Sequence, residues 1–458
     1  MKKKSYYNFA ETMNNGDMVL YNSRTGAVAV VENENREKIQ EILDNPEAKE
    51  EEEFFQPLSD NGFLVSAEED EFASVRQIYE EEYNRKDTIT VVLLPAEICN
   101  FKCEYCFVWN YAGKIMPRET YEKINKYIQR KIEEAGNLDK KIDLRISWFG
   151  GEPLLERETI LNYMKEVKAK FSDTCDVRSD IVTNGYYLNY ELFQKMLDLD
   201  IRRFQVTFDG VKEDHDKTRC LKDGTGSFDT IIKNITEIVE KAPKEEEFNF
   251  AIRINFMKNT YKKIFGLIER LHDIFKDDKR FYVYCRPVYN FETNRDTIDA
   301  LESNIFSLEE GLKVQTEFTL FIVELFNQDA HMRAINDYLP MPTSSWCSED
   351  NDHSIIVGAD ASVYCCDSLV GDESVRNGRL LDDGTIEYKP GNEIWTKSIF
   401  ELDSFEKCSK CKCLPSCYGC CRRERVVAKT DTPCLFTEKS VRETMRKYYD
   451  EIYSKGQI

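Results

Sequence analysis

The 458-residue sequence has no apolar run approaching the roughly 18 residues that a membrane-spanning helix needs. Its opening, MKKKSYYNFAETMNNG, is basic at first but turns polar at once, so the apolar middle of a secretory signal is missing. A cytoplasmic protein with no membrane partner is therefore expected. Positive charge is also short: 63 Lys and Arg stand against 84 Asp and Glu, a net charge of −21. That balance disfavours phosphate-backbone and anionic-lipid partners, so no nucleic acid is expected, and basic peptides suit it better. With 20 Gly and 12 Pro the chain is neither collagen-like nor low-complexity, and 41% apolar residues suffice for ordinary globular cores. The length leaves room for about three domains of roughly 150 residues, and a barrel could absorb two of those shares.

What is abundant is cysteine. Sixteen in a reducing compartment cannot mostly be disulfides, so clustered cysteines point to metal. Ten lie between Cys347 and Cys434, and Cys99, Cys103 and Cys106 fall within eight residues. Cys175, Cys220 and Cys285 stand alone and read as small buried apolar fillers.

Residues 1–87 carry 10 Lys and Arg against 21 Asp and Glu, net −11, which marks a separate module. Within it MVLYN and AVAVV flank SRTG in a hairpin pattern, and residues 34–44 place Ile39, Ile42 and Leu43 on one helical face. Phe72, Val75, Tyr79 and Tyr83 recur at helical spacing behind a cap at Ser66. From residue 88 the runs TITVVLL, IDLRISW, SDIVT, FQVTF, FAIRINF and FYVYCRPV alternate with helical stretches near 118–135, 156–171, 190–199, 228–241 and 261–275. The alternation predicts an α/β fold, a partial (β/α)6 TIM-like barrel with its helices outside. A helical pattern at 307–327 leads into the Cys-rich end, where metal rather than apolar burial is expected to hold the chain together. The expected division is 1–87, 88–306 and 307–458.

CNFKCEYC directly follows the first barrel strand. Three thiolates at C-x3-C-x2-C can hold three irons of a 4Fe–4S cluster and leave the fourth without a protein ligand; a ferredoxin or zinc site wants a fourth ligand nearby, and none is supplied locally. Other signals fall at the carboxyl ends of successive strands, where a barrel keeps its active site: WFGGEP after the second, TNG after the third, FDG after the fourth and CRPVYN after the sixth. Gly150 and Gly151 permit close backbone approach and Glu152 offers a carboxylate to a ligand's ammonium group, although GGEP alone reads equally as a turn.

C-x3-C-x2-C after strand one with GGEP after strand two resembles the radical S-adenosylmethionine (SAM) superfamily over about residues 88–290. The resemblance implies that SAM chelates the open iron and is cleaved to methionine and a 5′-deoxyadenosyl radical. It also implies SAM contacts at Tyr105, Gly150, Gly151, Glu152, Thr207, Asp209, Arg219 and the Val288 backbone. Taken alone, Arg219 reads as a solvated surface residue. Cys408, Cys411, Cys417 and Cys421, with Cys347, Cys366 and Cys434, resemble the SPASM extension, which carries two auxiliary 4Fe–4S clusters; a zinc ribbon is the plainer alternative. By that resemblance Cys408, Cys411, Cys417 and Cys434 hold the outer cluster, and Cys347, Cys366 and Cys421 the inner one, giving three clusters in all. The inner set counts only three, so its fourth iron is either open or ligated by His353, Cys365, Cys413 or Cys420. Ala361 stands where the resembling turn, DGxVYxC, has Gly. Residues 1–87 resemble the small winged-helix element that binds leader segments of ribosomally made peptides, with an acidic solubilising module as the plainer reading. His215, His272 and His331 read as surface or cap groups.

Together these resemblances imply a peptide maturase that joins a Cys sulfur to a carbon of another residue in a precursor peptide with a leader and a Cys-containing core. An electron donor such as flavodoxin or ferredoxin would serve it. The alternative is formylglycine formation of the anaerobic sulfatase-maturase type, with Asp367 as general base. A zinc-held peptide-binding adaptor without catalysis is the reading of another class.

Overall fold

The computed structural model describes residues 1–106, 113–276, 278–288, 301–326, 339–345, 347, 351–371, 373, 376–391, 398–401, 405–419, 421, 434 and 436–454, and His331 and Cys420 lie outside them. Two compact units result: Met1–Asn84 with Asp329–Asp352 and Thr396–Ile458, and Arg85–Gln328 with His353–Trp395. The stretch 307–458 is thus divided between the units, and residues 1–84 share theirs with the chain's end.

In the first unit β1 (Lys2–Lys4) pairs antiparallel with β5 (Leu64–Ser66), and β2 (Asn8–Thr12), β3 (Met18–Asn22) and β4 (Val28–Val31) form a three-stranded antiparallel sheet in that order. The hairpin turns on Asn22, whose Oδ1 accepts from the Arg24 and Thr25 amides at 2.9 and 3.0 Å. Helices α1 (Asn33–Asp44) and α2 (Phe55–Asp60) bury Ile39, Ile42, Leu43, Phe55 and Leu58 against Met18, Leu20 and Leu64. In α3 (Glu71–Tyr83) the buried face is Val75, Tyr79 and Tyr83. Its cap is Asp70, which accepts from Ala73 N at 3.0 Å, and not Ser66, because Ser66 is spent as the last residue of β5 opposite Lys2. The C-terminal part of the unit packs on this module: Tyr7, Val75, Tyr79 and Tyr83 share a core with Ile399, Leu414 and Tyr418, and Tyr418 donates to Val75 O at 3.1 Å.

The second unit is built on six parallel strands in sequential order: β6 (Thr88–Ala96), β7 (Ile142–Gly150), β8 (Cys175–Thr183), β9 (Ile201–Phe208), β10 (Asn249–Phe256) and β11 (Phe281–Pro287). The connections carry α4 (Arg118–Ala135), α5 (Arg157–Phe171), α6 (Tyr190–Leu197), the short α7 (Lys212–Thr218), α8 (Phe228–Lys241) and α9 (Ile264–Phe275). One strand face is apolar and packs on the helices, as Leu144, Ile146 and Trp148 do against Ile124 and Tyr163. Each such fully buried side chain contributes about 1.5–3 kcal/mol. The other face is largely polar. Four short strands, β12 (Ser354–Val357), β13 (Ser362–Tyr364), β14 (Gly378–Leu380) and β15 (Ile386–Tyr388), continue the sheet from β6, the first parallel and the rest antiparallel. Of the lone cysteines, Cys175 and Cys285 are buried and Cys220 is half-buried. Among the described residues no helix is long and apolar enough to cross a membrane.

Candidate active site

The loop that leaves β6 is fixed from three sides before any cofactor is considered. Phe101 bridges Leu221, and the Lys102 amide donates to Cys220 O (2.9 Å) while the Lys222 amide donates to Asn100 O (3.1 Å). The Gly151 and Glu152 amides donate to Ala96 O and Ile98 O, both at 2.9 Å. A Cβ on Gly151 would lie 2.2 Å from Ile98 O, so only glycine lets β7 approach the Cys loop this closely. Gly150 adds a φ of +126°.

Glu152 is buried with its acceptors occupied: Oε1 takes the Leu154 amide (3.0 Å) and the Thr183 hydroxyl (2.6 Å), and Oε2 the Asn184 amide (2.8 Å). Burial pushes its carboxyl up and those three bonds oppose the rise. Asn184 also donates to Asn100 Oδ1 at 2.8 Å, so the turn after β8 is tied to the Cys loop.

Tyr105, inside the loop, reaches the far strands. Its hydroxyl donates to Asp209 Oδ1 (2.6 Å) and accepts from Arg219 Nη1 (2.9 Å) and Asn255 Nδ2 (3.1 Å). Asp209 Oδ2 accepts from the Thr218 hydroxyl at 2.7 Å, and Arg219 lies over the Phe101 ring at 5.8 Å. Arg219 is buried rather than solvated, at 9% exposure. Behind it His215 is wholly buried, where the sequence suggested a surface group. Its Nδ1 accepts from the Asp209 amide (3.3 Å) and its Nε2 meets the Ser227 hydroxyl (3.0 Å), which donates to Arg219 O (2.7 Å). Burial and the nearby Arg219 charge hold this imidazole well below its ordinary pKa, hence neutral. Asn255 and His215 were missed in the sequence reading; Asn255 was recoverable as the polar residue of FAIRINF at the carboxyl end of its strand.

Burial pushes the Cys99 thiol up to about 12, and that of Cys103 up as well, with Arg219 opposing the rise at Cys103. Such thiols ionise only beside added positive charge, which a bound metal cluster brings. Two buried donors beside them, Asn100 Nδ2 and Arg219 Nε, have no protein acceptor. Thiols wanting a metal and donors wanting an acceptor together fit a cluster with a polar ligand on it. No three His, Cys, Asp or Glu side chains among the described residues converge on a single-ion site. A cube of four irons takes one thiolate at each iron, so its ligands stand apart.

The other expected residues are distributed as follows. Thr207 is buried on β9 in register with Arg253, and the Val288 amide donates to Phe256 O (3.0 Å), which leaves an adenine contact there to the carbonyl. In the first unit Cys408 and Cys411 share a turn (Cys411 N to Cys408 O, 3.0 Å), and a hydrogen bond from Cys413 lowers the Cys411 thiol to about 6 despite burial. Cys347, Cys417, Cys421 and Cys434 belong to the same unit. Cys366 belongs to the second, with its Sγ 3.7 Å from Asp367 Oδ1 and 3.0 Å from Ser368 Oγ. The antiparallel register of β12 and β13 returns Cys365 and Cys366 toward the level of His353, whose carbonyl accepts from the Thr90 amide at 2.9 Å.

Residues 93–260, which run from β6 through β10, match the radical SAM superfamily. The second unit thus carries a radical SAM domain. SAM and a 4Fe–4S cluster are accordingly its cofactors. The chain is 25% identical over 401 residues to a cysteine-type anaerobic sulfatase-maturating enzyme of Clostridium novyi, covering 80% of this chain and 96% of the relative. A serine-type counterpart from Bacteroides thetaiotaomicron is 20% identical over 351 residues, covering 73% and 82%. Among solved structures, anSMEcpe with bound AdoMet and Cp18Cys peptide superposes with a TM-score of 0.56 at 19% identity, covering 80% of this chain and 97% of that one. Streptococcus suis SuiB bound to precursor peptide SuiA gives 0.51 at 14% identity, covering 96% and 99%.

Proposed function

We propose that the protein is a radical SAM peptide maturase that forms a thioether between a Cys sulfur and a carbon of another residue in a precursor peptide. One observation carries the site: three thiols on a pinned loop, Cys103 buried and Cys99 and Cys106 half-buried, beside two buried donors without acceptors. In this reading Cys99, Cys103 and Cys106 hold the cluster and leave one iron open to SAM. Bound together, the two supply a 5′-deoxyadenosyl radical that removes hydrogen from an unactivated C–H bond. The chain's own part is binding and orientation. Asn100 Nδ2 and Arg219 Nε donate to SAM, with Arg219 on its carboxylate; Tyr105 and Asp209 fix the distance between the Cys loop and β9; the Val288 carbonyl meets adenine. Glu152 acts through Gly151: its saturated carboxylate holds the GGE turn against the loop, and the Gly151 backbone faces SAM. Cys408, Cys411, Cys417 and Cys434 would hold the outer auxiliary cluster, and Cys347, Cys366 and Cys421 the inner one.

The thioether reading is favoured over formylglycine formation by coverage. The likeness to the sulfatase-type structure takes in 80% of this chain, whereas that to SuiB, a fold crystallised with its precursor peptide, takes in 96%. The remainder calls for a role such as leader binding by residues 1–84. β4 suits it: among the described residues it pairs only with β3. Counting on from the Asn22–Ala27 hydrogen bond, Val28 and Val30 turn their amides outward, and an extended peptide could add there as a further strand. The relatives at 25% and 20% identity favour the second reading, in which Asp367, against Cys366 Sγ, takes a proton from the substrate.

Anaerobic incubation with SAM, a reductant such as flavodoxin and a Cys-containing precursor peptide distinguishes the two. A product that has lost two hydrogens and kept its sulfur supports the thioether, and replacement of sulfur by oxygen supports formylglycine. Absence of 5′-deoxyadenosine in the reconstituted enzyme would refute both.

A further inference from the structure

We infer that the peptide segment bound inside the barrel is acidic, its carboxylates meeting a row of arginines on the sheet face turned away from the helices. The inference rests on the peptide-maturase reading and adds its substrate class.

Strand alternation puts one arginine on this face in each of five consecutive strands: Arg145 on β7, Arg178 on β8, Arg203 on β9, Arg253 on β10 and Arg286 on β11. The registers agree, since Arg145 stands opposite Arg178, Arg203 opposite Asp180, Arg253 opposite Tyr284 and Arg286 opposite Asn255. Against these five the strands offer Asp143, Asp176 and Asp180 on the same face, and Asp176 stands opposite Asp143 rather than opposite an arginine. Asp143 answers Arg178 at 3.6 Å, and Asp180 accepts from the Ser147 hydroxyl at 2.8 Å. Arg145, Arg203, Arg253 and Arg286 are in no ion pair among the described residues. The neighbouring Arg202, on the opposite face of β9, shows what this chain ordinarily does with a guanidinium: it bonds Glu246 at 2.6 Å and Asp200 at 3.3 Å.

In a chain of net charge −21, four unpaired arginines on one face, with Arg145 directly across from Arg178, cost folding free energy through like-charge repulsion. A ligand carrying carboxylates removes that cost on binding, and a guanidinium receives a carboxylate with two parallel hydrogen bonds. The row also reaches the reactive end. Arg253 Nε donates to Asn255 Oδ1 at 2.9 Å, and Asn255 donates to the Tyr105 hydroxyl. Arg286 lies 5.4 Å over the ring of Tyr284, whose hydroxyl is fixed on Gln205 at 2.6 Å. The wall on the β6 side differs: Val92, Leu94, Ile356, Tyr364 and Val370 make it apolar. A segment alternating acidic and apolar residues around its cysteine matches both walls.

The test is calorimetric titration of the full reconstituted protein with synthetic peptides of one length, each with a single Cys flanked by Asp, by isosteric Asn or by Lys. The Asp peptide should bind about tenfold or more tightly than the Asn peptide, and the gap should shrink between 0.05 and 0.3 M salt. In the double variant R253Q/R286Q the Asp and Asn peptides should converge. Equal binding of the two peptides by the unaltered protein overturns the inference, as does a preference for Lys or an Asp preference that survives in R253Q/R286Q. Glutarate binding as tightly as the Asp peptide would also overturn it, in favour of a free dicarboxylate. Release of 5′-deoxyadenosine by the same unaltered preparation reports separately on the radical SAM reading, so the two can fail independently.

Discussion

Cys99, Cys103 and Cys106 hang from a parallel sheet whose apolar core runs through six strands and their helices, and their loop is pinned by backbone bonds to residues 220–222 and by Tyr105 to Asp209. Cys408 and Cys417 lie on helices of five and four residues with Cys411 in the turn between them, anchored by Leu414 and Tyr418 in a small cluster with Tyr7, Val75 and Tyr79. The first scaffold has apolar burial enough to exist without metal. The second has little of its own, so whatever its thiols bind becomes part of its folding free energy. A protein can therefore carry one thiol set as a tool mounted on a finished frame and another as a component of the frame.

The contrast breaks hardest with Cys103→Ala, which should lower 5′-deoxyadenosine release by about a thousandfold or more while amide exchange in β6–β11 stays slow. Cys417→Ala should do the reverse: residues 405–421 lose exchange protection, peptide modification fails, and SAM cleavage falls by less than about tenfold. Equal loss of protection in both variants would erase the distinction. A smaller effect separates the β4 edge, proposed to take a leader, from the Cys-rich part of the same unit. Val30→Pro removes an outward amide of β4 and should weaken leader-peptide binding by about tenfold in a titration, with little change in iron content.

The second unit can be probed in the turn that joins β12 to β13. Burial pushes the Asp360 carboxyl up, but bonds from Lys114 and Ser362 outweigh it and hold it at about 2. Because the folded value lies below the ordinary one, the stabilisation is complete above about pH 4 and is lost as pH falls through 2. Asp360→Asn should cost about 2 kcal/mol at pH 7 and much less at pH 2, read from urea midpoints of the barrel transition. Least of all should come from Ala361→Gly. Ala361 has φ +67°, and relief of that strain, about 1–2 kcal/mol, is offset by glycine's extra unfolded-state entropy and by the loss of a buried methyl, together of similar size. The midpoint should move by no more than about 2 °C, and a fall of more than about 5 °C would mean that the methyl outweighs the strain.

The barrel was legible because its strands are long enough to show their period and its helices have one apolar stripe, as in FDTIIKNITEIVEK. The Cys loop and the GGE turn were legible because thiol spacing and paired glycines admit few meanings. β12–β15 were not, since SIIV, SVY, GRL and IEY are too short for any period to register. Packing of residues 1–84 with Ile399, Leu414 and Tyr418 was equally hidden, because Tyr7 or Tyr418 carries no sign of its partner. His215 misled for the opposite reason: a polar side chain in a charged run, KEDHDKT, suggests solvent, and only the tertiary structure supplies the Asp209 amide and Ser227 hydroxyl that let it be buried.

The hydrogen bonds of Tyr105 also set a clock. All three cysteines of the loop have been translated by residue 106, but the tyrosine between them is held by Asp209, 104 residues later, and by Asn255, 150 residues later. At roughly 5–20 residues per second a nascent chain carries its thiols for about 8–30 s before the groups that aim them exist. Contacts of such long separation form late in folding as well. An iron ion captured during that interval would meet three thiols on an unanchored eight-residue segment rather than a site, so productive cluster loading belongs after β10 has joined the sheet.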